Sequence, residues 1–281
     1  MKTLYIDCTN GVSGDMVLRA LQCLAGTEGE SAPLKAVHTH EHHYEHNHGH
    51  DHVEEHHRDH GHDHGEEHHH EHDHDRDHGG GHHHDHHHDH EQHGRSYEDV
   101  KAIIDSQEQY SAKARATARS IYSVIAKAEA GVHGMTLETV HFHEVGRDQA
   151  IQNALGIGAA LDVISPDRIV VSKINDGKGF VNCAHGRIPV PVPAVQAMMD
   201  ECGNTYPALK FDTCADVDTE MVTPSGLAAI IGIGAVPAGG AGGGAGREGG
   251  MMFMEGRITG ETEAKGTRDT GRGGLRVYVI E

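Results

Sequence analysis

The chain has 281 residues, with 43 Asp or Glu against 23 Lys or Arg, a formal net charge of −20 and 31 histidines. So acidic a balance argues against nucleic acid or an anionic membrane surface as partner, because both require clustered Lys and Arg. Residues 227–236 form the longest small-and-apolar run, about half of what a membrane span needs, so a soluble protein is expected.

Five cysteines (Cys8, Cys23, Cys183, Cys202 and Cys214) show no CxxC pair and no framework spacing. An odd number in a chain this large points to reduced thiols in a cytosol. Lys2 leads straight into Leu4-Tyr5-Ile6, too short for a secretory core, so a cytoplasmic location is expected.

Residues 3–6 read as a buried strand, followed by a polar, glycine-punctuated loop from Asp7 to Met16 and a helix over about 15–24. Asp7 then stands at the carboxyl end of a strand, the edge where open α/β sheets bind ligands. Residues 38–93 interrupt the chain. They hold 27 of the 31 histidines and 14 of the 20 net negative charges, with Tyr44 and Val53 as their only apolar side chains. Nothing there repays the entropy of ordering the backbone, so the tract is expected to be disordered without metal.

Ser96 and Asp99 then spell a capping box for a short helix with Val100, Ile103 and Ile104 on one face. A longer helix is expected over 111–130, with Ile121, Val124, Ile125 and Ala128 at helical spacing and Gly131 as its stop. Residues 140–145 look extended. A helix over 148–163 ends at Ser165-Pro166, and residues 168–174 form a β-branched strand. Gly177 to Gly179 turn into a strand over 180–183. Pro189, Pro191 and Pro193 mark an extended connector into a helix over 194–202, and Thr223-Pro224 opens another helix. Eight of the twelve residues over 239–250 are glycine. No strand signal precedes them, so they read as a flexible linker rather than a phosphate-cradling loop. Residues 275–280 are a last strand. The pattern predicts an α/β fold, a mostly parallel sheet with helices, interrupted by the long disordered His-rich insertion. The expected organisation is an α/β core at 1–37 and 94–237, the tract at 38–93, the linker at 238–250, and at 251–281 a final segment beginning a further C-terminal domain.

The tract is the strongest chemical signal. His68, His69 and His70, then His82, His83 and His84, then His86, His87 and His88, offer neutral imidazoles to a divalent cation, among interleaved carboxylates. Imidazole suits Ni, Cu, Zn and Co, and so mobile a site stores metal without choosing it. The bland alternatives are an expression tag, which would be one uniform run at a terminus, or a solvated polar spacer. The sharper motif is His141-Phe142-His143-Glu144-Val145-Gly146. In a strand, His141 and His143 share a face opposite Phe142. With Glu144 they suit a metal site or a general base with its orienting partner; equally, they suit two hydrogen-bonded strand histidines. Cys183 and His185 alternate onto one face and fit a soft metal site, or an inert buried thiol beside a loop. Asp7 with Asp15 is a third candidate, or a turn and an N-cap. The expectation is that Asp7, His141, His143, Glu144, Cys183 and His185 line one cleft.

Taken together these segments resemble the LarC family of nickel-insertion proteins. The resemblance rests on Asp7-Cys8-x-x-Gly11-x-Ser13-Gly14-Asp15-Met16, the His-rich insertion, the motif from His141 to Gly146, Gly177-x-Gly179-x-Val181-x-Cys183-Ala184-His185-Gly186, Thr223-Pro224-Ser225-Gly226 and Gly266-Thr267-Arg268-Asp269. It implies that Ni2+ is delivered to a nickel-free pincer cofactor precursor, a pyridinium mononucleotide bearing two thiocarboxylates. It further implies CTP with Mg2+ or Mn2+, a C-terminal partner chain or domain holding that nucleotide, and a cofactor-receiving enzyme of the lactate racemase type. Gln149 and Asn153 stand where many members of that family carry acids. Two other readings stay open: a non-catalytic nickel store or metallochaperone, and a zinc hydrolase built on His141, His143 and a carboxylate. The absence of HExxH counts against the hydrolase.

Because only neutral imidazole ligates and unperturbed histidine titrates near ~6.5, Ni2+ capacity should fall steeply between about pH 7 and 5. Isothermal titration at both values checks this, and equal stoichiometry would contradict it. Replacing residues 39–92 by a short Gly/Ser linker should leave the metal-free melting temperature nearly unchanged.

Overall fold

The first strand, β1 (Thr3–Asp7), is apolar on both faces and almost wholly buried, which places it inside a sheet rather than at an edge. The computed structural model describes residues 1–29, 33–35, 94–183, 186–239 and 256–281. The His-rich tract, His185 and most of the glycine-rich stretch therefore lie outside the described residues. From β1 the chain enters α1 (Gly14–Ala25), whose Met16, Val17, Leu18, Ala20 and Leu21 turn inward, and which ends at Gly26 in the left-handed conformation.

After the tract, β2 (Arg95–Ser96) leads into α2 (Tyr97–Ser106). The expected capping box is present: Ser96 Oγ accepts from the Asp99 amide while Asp99 Oδ2 accepts from the Ser96 amide. The following helix, α3 (Ala112–His133), does not stop at Gly131 but runs on to His133, where Gly134 at φ 63° caps it. An interior glycine costs a helix only about 1 kcal/mol, too little to end one that another glycine can cap three residues later.

Next come β3 (His141–Phe142) and α4 (Asp148–Ile164), closed by Ser165 before Pro166. The single strand expected over 168–174 is two: β4 (Arg168–Val171) and β5 (Ile174–Asp176). Ser172 separates them, its hydroxyl accepting from the Cys8 amide and donating to the Lys173 carbonyl, and so diverting the backbone from the ladder. Strands β6 (Phe180–Cys183) and β7 (Gly186–Pro189) form a hairpin. Then follow α5 (Pro193–Asp200), β8 (Phe211–Thr213), α6 (Pro224–Gly232), β9 (Val236–Pro237), β10 (Ile258–Ala264) and β11 (Leu275–Ile280).

The α/β class is as expected. The main sheet runs β10-β11-β1-β4-β9, with β1, β4 and β9 mutually parallel and the β10–β11 pair added antiparallel beside β1. Residues 256–281 thus pair within the same sheet as β1. Strand β5 leaves that sheet to pair in parallel with β8. Leu4, Ile6, Val171 and Val277 face the side on which the helices pack, whereas Tyr5, Val170 and Tyr278 gather on the other. Among the described residues no helix is long and apolar enough to cross a membrane.

Two glycines set how closely the loop after β1 meets the entry to α6. A Cβ on Gly226 would sit 2.3 Å from the Val12 carbonyl oxygen, and Gly11, at φ 87°, would bring one equally close to the Met221 carbonyl. The approach leaves room for two backbone hydrogen bonds, Val12 N to Met221 O (2.9 Å) and Thr223 N to Val12 O (3.0 Å). Asp176 anchors the same segment from below. Its Oδ1 accepts from the amides of Gly177, Met221 and Val222 at 2.8 to 3.1 Å, while its Oδ2 is buried without a partner.

Burial pushes the Asp176 carboxyl above the ordinary aspartate range, against the pull of those three amides. A raised folded-state pKa means the folded protein binds the proton more tightly, so this group's contribution weakens as pH climbs from the usual range through the folded value. Asp176→Asn keeps the acceptor without the charge and should melt close to wild type at neutral pH, without that pH-dependent loss. Asp176→Ala strands three buried amides and should cost about 3 kcal/mol or more. Matching denaturant midpoints for the two variants would contradict this assignment.

Candidate functional site

A cavity of about 560 Å3 opens between the C-terminal half of α3, the segment after β3, the start of α4, the β6–β7 hairpin and the entry to α6. Much of its wall is apolar, including Ile121, Phe142, Ile157 and Val181, and polar side chains from Glu129, Asn153, Asn182, Glu220 and Arg268 also reach it. Such a mixed lining suits a small ligand oriented by placed polar side chains.

The segment from His141 to Gly146 is pinned from beneath. Phe142 is buried against the Tyr97 and Tyr122 rings, at centroid distances of 6.2 and 6.0 Å. The Tyr122 hydroxyl donates to the Val145 carbonyl at 2.7 Å, and Arg95 donates to the Gly146 carbonyl at 2.8 Å while pairing with Asp148. With its centre fixed, the segment leaves His141, His143 and Glu144 exposed at the cavity. The alternation expected over 140–145 does not hold, because the strand ends at Phe142 and the chain bends at His143 and Glu144. The two histidines reach the cavity by that bend, not by strand register.

His141 Nδ1 lies 2.7 Å from the Thr139 carbonyl oxygen. A carbonyl only accepts, so Nδ1 carries a proton, and in the neutral ring the lone pair is on Nε2. That tautomer suits ligation of a metal through Nε2, with Nδ1 held by a backbone acceptor.

Cys183, an exposed free thiol, lines the same cavity. Asp7 does not. It is held at the end of β1 by Arg276 and by the amide and hydroxyl of Thr9, which makes it an anchor for the loop. The single expected cleft is thus corrected: His141, His143, Glu144 and Cys183 meet there, Asp7 stands apart, and His185 and the tract histidines fall outside the described residues. Among the described residues, no three His, Cys, Asp or Glu side chains converge as a ready-made cation site.

Sequence reasoning missed three lining groups. His133 enters on the extra turn of α3, 3.4 Å from Glu129, also at the cavity. Glu220 is the third, with only 11 % of its side chain exposed and its carboxylate 2.9 Å from Arg268. Burial raises its carboxyl above the usual range; Arg268 opposes the rise, while Asp176 and Glu144 add to it. No spacing rule marks Glu220, although Thr223 to Gly226 and Gly266 to Asp269 flank it on either side in space. Asn153 also lines the cavity and accepts from Gln149 at 2.9 Å, so an amide pair stands there.

A family model described as nickel insertion protein matches residues 4–237. A pyridinium-3,5-bisthiocarboxylic acid mononucleotide nickel insertion protein of Lactiplantibacillus plantarum is 38% identical over 243 residues, covering 82% of this chain and 52% of the relative. A protein of the same name from Acetivibrio thermocellus is 40% identical over 136 residues, covering 48% of this chain and 32% of the relative. Another, from Alkaliphilus metalliredigens, is 36% identical over 134 residues, or 48% of this chain and 30% of the relative. The chain thus spans about half, or less, of the length of these curated relatives. No solved structure matches it.

Tyr122→Phe removes the hydroxyl that holds the Val145 carbonyl and should lower stability by about 1–2 kcal/mol. Denaturant unfolding measures this, and an unchanged midpoint would show that the bond does not fix the His141–Gly146 segment.

Proposed function

This chain belongs to the nickel insertion protein family, and from that premise we propose that it takes Ni2+ as cargo and inserts it into the nickel-free pincer cofactor precursor. That precursor is the pyridinium-3,5-bisthiocarboxylic acid mononucleotide named for its relatives. The reaction is a chelatase step, in which the metal exchanges protein ligands for two thiocarboxylate sulfurs and a ring carbon. Nickel's affinity for sulfur drives the exchange toward the precursor. Family resemblance adds CTP with Mg2+ or Mn2+ as co-substrate, held by a C-terminal partner domain. It also adds a lactate racemase-type enzyme as recipient of the product, all in the cytoplasm.

The observation that carries the reading is the meeting of His141, His143, Glu144 and Cys183 at one apolar-walled cavity, with the His141 tautomer held by Thr139. In this scheme His141 and His143 hold the transferring Ni2+. Glu144 is a third ligand or the base that accepts the ring proton, and Cys183 with His185 supplies transient soft ligation. An incomplete protein shell suits transfer, because a metal bound by too few ligands is readily completed by the substrate's sulfurs. The His-rich tract then serves as a reservoir.

A second reading is a nickel store or metallochaperone without insertion chemistry, favoured by the 27 histidines of residues 38–93. His141→Ala with His143→Ala separates the two. Insertion should be lost, measured as activation of a pincer-dependent enzyme with CTP and the C-terminal domain supplied. Bulk Ni2+ stoichiometry should stay nearly intact. Wild-type insertion by the double variant would make storage the better account.

A further inference from the structure

A second cavity, of about 360 Å3, adjoins the first, and Glu220, Thr223 and Arg268 line both. The two differ in chemistry. The larger has aromatic and aliphatic walls with Glu129, Glu144 and Glu220 at its edge. The smaller is walled by the loop after β1 and by the β10–β11 connection, which contributes Lys265, Arg268, Arg272 and the hydroxyls of Thr267 and Thr270. Ser13 and Asn10 face it from the other side.

Its acids are already engaged. Asp15 pairs with Arg19 and accepts from Ser13, Glu220 pairs with Arg268, and Asp269 accepts from the Gly271 amide. Arg272 is held by Asp216 through two bonds of 2.6 and 2.7 Å. The Lys265 ammonium makes no hydrogen bond or ion pair among the described residues. It is an uncommitted cation at the rim of a cavity rich in hydroxyl donors, beside an Arg268 guanidinium that spans both spaces.

We propose that the smaller cavity is the phosphate subsite for the mononucleotide, with Lys265 and Arg268 as the residues that hold the phosphate. This rests on the substrate reading above and deepens it. The cationic pyridinium ring lies among the carboxylates and aromatic walls of the larger cavity, the ribose crosses at Thr223, and the dianionic phosphate enters the smaller one beside the uncommitted Lys265. The Glu220–Arg268 ion pair stands at the crossing, with its acid toward the ring and its base toward the phosphate. The Lys265 ammonium at one end and the Glu144 carboxylate at the other orient the ligand in a single sense, which puts the thiocarboxylates beside His141 and His143.

The test compares binding of the precursor mononucleotide with that of its dephosphorylated nucleoside, by titration calorimetry on the whole chain. A pyridinium mononucleotide without thiocarboxylates serves as a third probe. Wild type should bind the phosphorylated forms about tenfold or more tightly than the nucleoside, as charge-assisted contacts to phosphate require. Lys265→Ala should erase most of that preference and leave nucleoside affinity alone, whereas Lys265→Arg should keep it. Lys265 is exposed, so melting of the variants should match wild type. Equal affinity of wild type for phosphorylated and dephosphorylated forms, or an equal weakening of both by Lys265→Ala, overturns the subsite. Nickel insertion scored alongside keeps the two readings apart. Insertion without phosphate preference overturns the subsite alone, and phosphate preference without insertion overturns the nickel reading alone.

Discussion

Everything around the larger cavity hangs on the contact between the loop after β1 and the segment from Met221 to Gly226. Gly11 and Gly226 let two stretches of backbone come close enough to exchange hydrogen bonds through Val12, Met221 and Thr223. Asp176 ties that segment to β5, and Thr223, as the N-cap of α6, accepts from the Gly226 amide. Gly14, Glu220, Thr223 and Ser225 reach the cavity only because this joint is tight. A side chain at either glycine would part the two elements and open the wall.

On that frame the cavity separates its chemistry by position. His141, His143, Glu144 and Cys183 come from a short strand, the bend after it and a hairpin, while His133 and the rigid walls come from α3 and α4. The Phe142, Tyr122 and Arg95 contacts give the bend at His143 the fixity of the helices beneath it. The carboxylates of Glu129, Glu144 and Glu220 favour cations in this space.

Much of the fold could be read in the residues. The Ser96–Asp99 box and the proline after Thr223 each acted locally, and each formed the element expected of it. Failures arose where distant contacts decided. Strand β10 offers exposed Glu261 and Glu263 with Ala264 as its only buried side chain, so it exists because β11 presents a free edge. The break at Ser172 depends on the Cys8 amide, more than a hundred residues away in sequence. Within the site, His141, His143, Glu144 and Cys183 were legible from residue type and spacing. His133 was hidden by a glycine read as a helix stop. Glu220 gained its place from a partner, Arg268, that sequence does not pair with it. Asp7 was misplaced because a carboxylate at a strand end serves a loop as readily as a ligand.

The central claim is that the His141–Glu144 segment hands nickel to sulfur ligands on the substrate. The most direct measurement is nickel K-edge X-ray absorption on the chain with residues 39–92 replaced by a short linker, before and after addition of the precursor. The account predicts one tightly retained Ni2+ with nitrogen and oxygen scatterers and the multiple-scattering signature of imidazole. Precursor should then replace that shell with short nickel–sulfur distances. A spectrum that keeps its imidazole signature unchanged after the precursor is added, or a linker variant that retains no nickel at all, would contradict it.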